Sequence, residues 1–479
     1  MRERRKFNLE WPVFIVILVT VLATTIVMNI HHDDNAATRI ANSIDTDDGD
    51  SKINWERYPT TDVELKDDLA ITTSGTYHLT GALEDGSVTI NTGDGVVRLI
   101  LDNVSINNNG GPAIACYAAD DLVIELIGEN NLADGETYAT SYDEDVAGAI
   151  YSKADLTFQG EGTLNLTANH QDGIVSKDDL KFNGGVYKIT AADDGIRGKD
   201  SVYMVAGEFM IKAGSDAIRS TNETDASKGF VLIEDGIFSI SAGDDGIHAY
   251  RKLVINGGEI NVMQSYEGLE AQMIVIDGGE IRVASTDDGI NAGGGNDGSA
   301  NVQAGMPEGD ENCILAINGG NVYINAAGDG VDSNGWLYFN GGKVVVDGPT
   351  NNGNGALDSG LGIVMNGGEV IAVGASGMAE TLGASSSVYN VSIYLSAAQT
   401  AGTEIIIKDA NENIVLEHTA AKAFNHIAIG SERFKLGETY ALYLNGEKYT
   451  TFTISSITTV VGNGGGMGQP TSPGGPNRR

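Results

Sequence analysis

One short phrase returns through the middle of the chain and limits what it can fold into. It reads Asp172-Gly173-Ile174, Asp194-Gly195-Ile196, Asp216-Ala217-Ile218, Asp245-Gly246-Ile247, Glu267-Gly268-Leu269, Asp288-Gly289-Ile290 and Asp329-Gly330-Val331. A second phrase alternates with it, among its copies Asn183-Gly184-Gly185, Asn256-Gly257-Gly258, Asn318-Gly319-Gly320, Asn340-Gly341-Gly342 and Asn366-Gly367-Gly368. Successive copies lie about 22 residues apart, the wider gaps being one unit plus a loop. A fixed period of this size marks stacked units that each bury an apolar face on the next. Within a unit, Leu180 and Phe182 precede the Asn-Gly-Gly phrase and Tyr187 and Ile189 follow it, and the same spacing returns at Leu253, Ile255, Ile260 and Val262. Period-two alternation means half-buried strands. Asn-Gly also suits tight hairpins, but a hairpin meander does not demand a constant period. The expected fold is all-β, a parallel β-helix solenoid in which equivalent side chains stack.

Around that repeat the chain divides into five parts. Arg2, Arg4, Arg5 and Lys6 precede an apolar run at 11–30 that is long enough to span a bilayer. The basic flank predicts an N-terminus inside and the rest outside, with a cleaved signal peptide as the rival. Residues 1–30 are therefore expected to be a basic stub and transmembrane anchor, and 31–60 a polar linker. Residues 61–395 would form the solenoid, 396–461 a small β cap over its last edge, and 462–479 a disordered Gly- and Pro-rich tail. Insertions at about 128–146, 221–228 and 292–312 are expected as loops on one face. Cys116 and Cys313 would stand roughly 34 Å apart at the β-strand spacing, too far for a disulfide.

Stacking would bring Asp172, Asp194, Asp216, Asp245, Glu267, Asp288 and Asp329 into one column, thickened by Asp193, Asp244 and Asp287, with Asp332 just beyond. At about 4.8 Å, neighbouring carboxylates repel by roughly 1 kcal/mol in water and roughly 3.5 at an effective dielectric of 20. Hard divalent cations with oxygen ligands offset this, and calcium tolerates irregular geometry. Asp-Gly is also ordinary turn chemistry, under which each carboxylate is simply solvated. The Asn column is expected to be structural, as a ladder of amides.

A third column, Lys153, Lys177 and Lys199, would present stacked ammonium groups, as suits a general base or an anion site. Adjacent Asp155, Asp178, Asp179 and Asp200 would otherwise neutralise it. For sugar stacking the aromatic candidates are Tyr138, Tyr142, Tyr250, Tyr266 and Trp336. The net charge of −37 argues against nucleic acid and anionic lipid as partners. No phosphate loop, Cys-x-x-Cys or Gly-x-Ser-x-Gly supports nucleotide, zinc or hydrolase-triad chemistry.

The segments Gly75-Thr76-Tyr77-His78-Leu79-Thr80-Gly81, Leu99-Ile100-Leu101-Asp102-Asn103-Val104, Asp172 to Leu180 and Asp194 to Asp200, with Ser376-Gly377-Met378, resemble a family of bacterial surface proteins. It is the carbohydrate-binding β-helix family, and the likeness runs over about residues 61–460. The resemblance implies a right-handed parallel β-helix, Ca2+ at the Asp-Gly turns, and binding of cellulose or acidic polysaccharide. It also implies distant kinship with family-nine pectate lyases. The resulting expectation is calcium-dependent polysaccharide binding at the cell surface. A lyase of uronic-acid polymers, with Lys177 or Lys199 as base, is the alternative, and a structural adhesion protein a further one.

Overall fold

The computed structural model describes residues 53–142, 145–293 and 309–463. The expected anchor at 11–30, most of the linker, the tail beyond 463 and most of the third insertion lie outside these residues. Among the described residues no helix is long and apolar enough to cross a membrane.

Strands pair in parallel with strands one repeat away, which rules out the hairpin meander. Three faces result. On the first, Ile114–Ala118, Gly148–Ser152, Asp172–Ser176, Ile196–Gly198 and Ile218–Ser220 stack in that order, followed by the start of Ile247–Ile255. The second face begins one corner later, where Asp155–Gly160 pairs with the start of Asp179–Ala191. The third carries Thr163–Ala168 on the end of that same strand.

The fold expected from sequence needs correction here. Asp179–Ala191 and Ser201–Lys212 run unbroken through the Asn-Gly-Gly corner, and Ile247–Ile255 and Leu269–Ile276 run through the corner before it. The faces therefore fuse into one 35-stranded sheet that closes round its core as a parallel barrel, not an open right-handed β-helix. Glycine makes the bend possible, since Gly184 and Gly185 take φ of 149° and 95° inside a continuous strand.

The barrel is filled by ladders of like side chains. Ile150, Ile174, Ile196, Ile218, Ile247, Leu269, Ile290 and Val331 are all fully buried in register. Each such burial contributes about 1.5–3 kcal/mol. Tyr187, Phe209 and Phe238 stack at 4.8 and 4.9 Å between ring centroids. Outside, Asn340 donates to Asn318 at 2.7 Å and Asn366 to Asn340 at 2.9 Å, an amide ladder of structural kind.

At the far end, Phe424–Ser431 pairs antiparallel with both Glu369–Gly374 and Asn390–Gln399, ending the parallel stack. A separate antiparallel sheet of Glu404–Lys408, Ile414–Thr419, Thr439–Leu444 and Glu447–Thr453 packs there on a core of its own. Both cysteines are buried and free.

Candidate functional site

The first face gathers most of the chemistry-bearing residues, and insertions border it at both corners. Residues 135–142 and 145–147 fold over its beginning, where Val146, Tyr138 and Tyr142 pack against outward-facing Tyr151 and Val175. Tyr138 and Tyr142 are thus largely committed to packing, and Tyr138 also donates to Asp134 at 2.8 Å. The second and third insertions leave from the opposite corner, after Ser220 and Ala292.

Along this face the acidic residues do stand in register. The Asp172 Oδ1 accepts the backbone N–H of Asp194 at 3.2 Å, Asp194 Oδ1 that of Asp216 at 3.2 Å, and Asp216 Oδ1 that of Asp245 at 2.9 Å. Further along, Asp288 Oδ1 accepts from Asp329 at 2.6 Å. One oxygen of each therefore ties adjacent rungs together, as turn chemistry would have it. Close stacking favours the glycine that follows most of these acids: a Cβ at Gly173 would lie 2.4 Å from the Gly195 carbonyl oxygen, although Ala217 stands in the equivalent place after Asp216. Asp193, Asp244 and Asp287 form a parallel column one residue earlier, joined by backbone bonds through Ser215 and Tyr266.

The second oxygen of each acid turns toward a column that sequence reasoning missed. Register places Val175, Arg197, Arg219, His248, Glu270, Asn291, Asp332 and Asp358 one above another, each directly after an inward aliphatic residue. Reading the residue three after each Asp would have found it. Only Asp332 was singled out, as an isolated extra acid.

This column changes character along its length. Arg197 lies 2.5 Å from Asp172 Oδ2, and Arg219 lies 3.0 Å from Asp216 Oδ2. His248 Nδ1 then faces Asp216, Asp245 and Glu270 at 3.5, 3.3 and 3.5 Å. Beyond His248 the column turns acidic. The protein's own guanidinium groups thus supply part of the counter-charge that divalent ions were expected to provide at Asp172, Asp194 and Asp216.

Past that point no such compensation appears among the described residues. Carboxylate oxygens of Asp288, Asp329 and Asp332 lie within 4.8 Å of one another. Burial and then neighbouring carboxylates push Asp288 up to about 6 and Asp332 well above the usual carboxylate range. Burial, followed by Asp358 and Asp329, pushes Glu380 up to about 8. Burial also raises Asp329 to about 7, against the opposing hydrogen bond from Gly355, with Asp288 and Asp358 adding repulsion. The leading neighbouring charges that raise these four are carboxylates. An all-oxygen set under such repulsion fits a hard cation of the calcium class. Sequence reasoning also missed Asp358 and Glu380, which lie outside the Asp-Gly phrase.

The three lysines follow one another at the edge of the first face, their backbones joined rung to rung. Their ammonium groups part company. Lys153 reaches Asp145 at 4.0 Å, Lys199 reaches Asp200 at 3.9 Å, and Lys177 sits 6.0 Å over the Tyr151 ring. Burial, then the Arg197 charge, lowers the Lys177 pKa. Asp178 and Asp200 are held chiefly by Lys228 from the second insertion, not by the lysine column.

Among the aromatic candidates, Tyr266 is 48% exposed and stands in the column of Asp244 and Asp287. Tyr250 lies under the Arg251 guanidinium at 5.4 Å. Trp336 pairs in register with Ile314 and Gly362 on the second face, stacked near Tyr338 at 6.1 Å, so the corner separates it from the acids.

Residues 66–310 match the model of a family described as carbohydrate-binding domain-containing protein. The chain belongs to that family. A relative of the same description from Acetivibrio thermocellus is 42% identical over 200 residues, covering 41% of this chain and 70% of the relative. A solved structure of a polysaccharide lyase-like protein from C. thermocellum, a gadolinium derivative, is 31% identical and covers 42% of this chain and 90% of that one, with a TM-score of 0.41. Within this carbohydrate-binding protein the His248 cluster falls inside the matched span, whereas Asp329, Asp332, Asp358 and Glu380 lie beyond it.

Proposed function

We propose that the chain binds polysaccharide along the first face with the help of calcium held at Asp288, Asp329 and Asp332, with Asp358 and Glu380 beside them. The observation that carries this is the uncompensated acidic end of the face, next to exposed Tyr266. A surface of net charge −37 repels an acidic glycan. A bound divalent ion offsets part of the charge on the local acids and can take a sugar carboxylate as a further oxygen ligand. Tyr266 offers a ring for stacking on a sugar's apolar face. Cellulose, the neutral glycan implied by the family resemblance, would rely on that stacking alone. Exposure of the domain at the cell surface belongs to the same proposal.

Retention on insoluble cellulose and on a polygalacturonate gel, each with calcium and with chelator, tests it. Calcium-dependent retention is expected on the acidic gel, weakened in Asp332→Asn and in Tyr266→Ala. Equal retention with and without calcium would remove the metal from the account, and no retention on either matrix would remove the binding function.

A second reading rests on Lys177, whose lowered pKa and closeness to Arg197 suit a general base acting on a uronate. It would take the proton α to the carboxylate in a β-elimination. Appearance of ultraviolet-absorbing unsaturated product from polygalacturonate, lost in Lys177→Met, is the expected sign; no product from the parent chain excludes it.

A further inference from the structure

The middle of the column differs in chemistry from its acidic end. His248 brings an imidazole into a run of carboxylates, and its Nδ1 has Asp216 Oδ2, Asp245 Oδ2 and Glu270 Oε2 at 3.5, 3.3 and 3.5 Å. All four residues are at least nine-tenths buried. Glu267 joins from the side, with a carboxylate oxygen in the same close group as those of Asp245 and Glu270.

Pairing with a protonated imidazole accounts for only part of this convergence. Asp216 Oδ2, Glu270 Oε2 and His248 Nδ1 are buried without a hydrogen-bond partner, although Arg219 approaches Asp216 Oδ2 at 3.0 Å. A protonated imidazole has one N–H on Nδ1 and can aim it at one acceptor, yet three oxygens stand at almost equal distance and none lies in line with it. Four carboxylates meet one imidazole and one guanidinium there, so a buried excess of negative charge remains. Buried charge of one sign without compensation is strongly unfavourable.

The spacing has a direct chemical reading. Zinc binds imidazole nitrogen at about 2.0–2.1 Å and carboxylate oxygen at about 2.0–2.2 Å, almost always tetrahedrally in closed sites. The edges of such a tetrahedron measure about 3.3–3.6 Å by simple geometry. The three distances from His248 Nδ1 match three of the six edges. Calcium calls for six to eight oxygen ligands at about 2.3–2.6 Å, and an imidazole in the set works against it.

We propose that His248, Asp216, Asp245 and Glu270 form a binding site for a first-row transition ion of the zinc class, separate from the calcium-type acids at Asp288, Asp329 and Asp332. Neutral imidazole Nδ1 and three carboxylate oxygens ligate the ion, which takes the place of the proton on the imidazole. Glu267 lies beside the ligands. Because every ligand is buried and tied into adjacent rungs, the ion clamps three rungs of the barrel together, and its role is structural.

Cobalt(II) is the probe, because tetrahedral cobalt absorbs strongly in the visible and octahedral cobalt weakly. The full chain, stripped with chelator and returned to excess calcium, is titrated with cobalt. A strong visible band saturating at one equivalent is expected, bleached by zinc, with a rise in melting temperature. His248→Gln and, as a second variant, Glu270→Gln should lose the band, whereas Asp332→Asn should keep it. A weak octahedral spectrum or no binding by the parent chain overturns the proposal, as does an unchanged band in a folded His248→Gln. Calcium binding at the acidic end is read separately, from the calcium-induced shift in melting temperature, so either site can fail alone.

Discussion

Replacing Asp332 by asparagine should have opposite effects on the metal-free and calcium-loaded protein. Its carboxylate shares a space of 4.8 Å with those of Asp288 and Asp329. At that separation each like-charged pair repels by about 1 kcal/mol in water and about 3.5 at an effective dielectric of 20. Protonation limits the relief, because Asp332 is held well above the usual carboxylate range by burial and by Asp358, Asp329 and Asp288. About 1–3 kcal/mol of stabilisation remains as the expected gain, or a few degrees in melting temperature. The gain depends on pH. Asp288, Asp329 and Glu380 are pushed up to about 6, 7 and 8, against about 4 in an unfolded chain. Acids raised in this way leave the folded state at full stability below about pH 4, and that stability is lost as pH rises through about 6 to 8. The variant's advantage is therefore largest near pH 8 and fades toward about pH 4. With calcium at the proposed site the order should reverse, since the ion would stabilise the parent by mass action and the variant would lack a ligand. Thermal melts followed by circular dichroism, with chelator and with calcium across that pH range, make the measurement. A metal-free variant that melts at or below the parent at pH 8, or an equal calcium shift in both, would refute the reasoning.

Other perturbations follow from the same geometry. Arg197→Met leaves Asp172 Oδ2 buried without its guanidinium, and breaking a pair on one side costs about 3 kcal/mol; denaturant unfolding should show that loss, with Asp172→Asn in the same chain recovering part of it. Gly289→Ala sets a Cβ 2.4 Å from the Gly330 carbonyl oxygen and 2.3 Å from Ile324 Cγ2, so a loss of about 1–3 kcal/mol or more is expected in the same assay. Phe209→Leu interrupts the stack of Tyr187, Phe209 and Phe238 and should lower stability by about 1–2 kcal/mol, with glycan retention on the first face unchanged.

The repeat made the rungs and the acid column readable before any coordinates. Asp172, Asp194, Asp216 and Asp245 were placed by period alone, because parallel pairing with constant spacing leaves no freedom in which residues stack. The closure of the sheet was not readable. Asn183-Gly184-Gly185 has the composition of a strand-ending turn, yet the strand continues through it, since glycine at positive φ bends the chain and the pairing resumes beyond a shift in register. Arg197, Arg219 and His248 carry no repeated phrase, because this column is defined by position while its residues change. Trp336 looked close to the Asp329 turn in sequence, but the intervening corner carries it to another face.

What the sequence determined alone was the stacking of like positions, because register in a parallel ladder follows directly from the period of the inward aliphatic residues. Only the tertiary structure decided how each acid is compensated. Burial comes from the barrel and the loops that border it, and counter-charges come from neighbouring rungs, so the same Asp-Gly phrase faces arginine at one end of the face, imidazole in the middle and further carboxylates at the other. Charge compensation is a property of three-dimensional proximity, and a local phrase does not carry it.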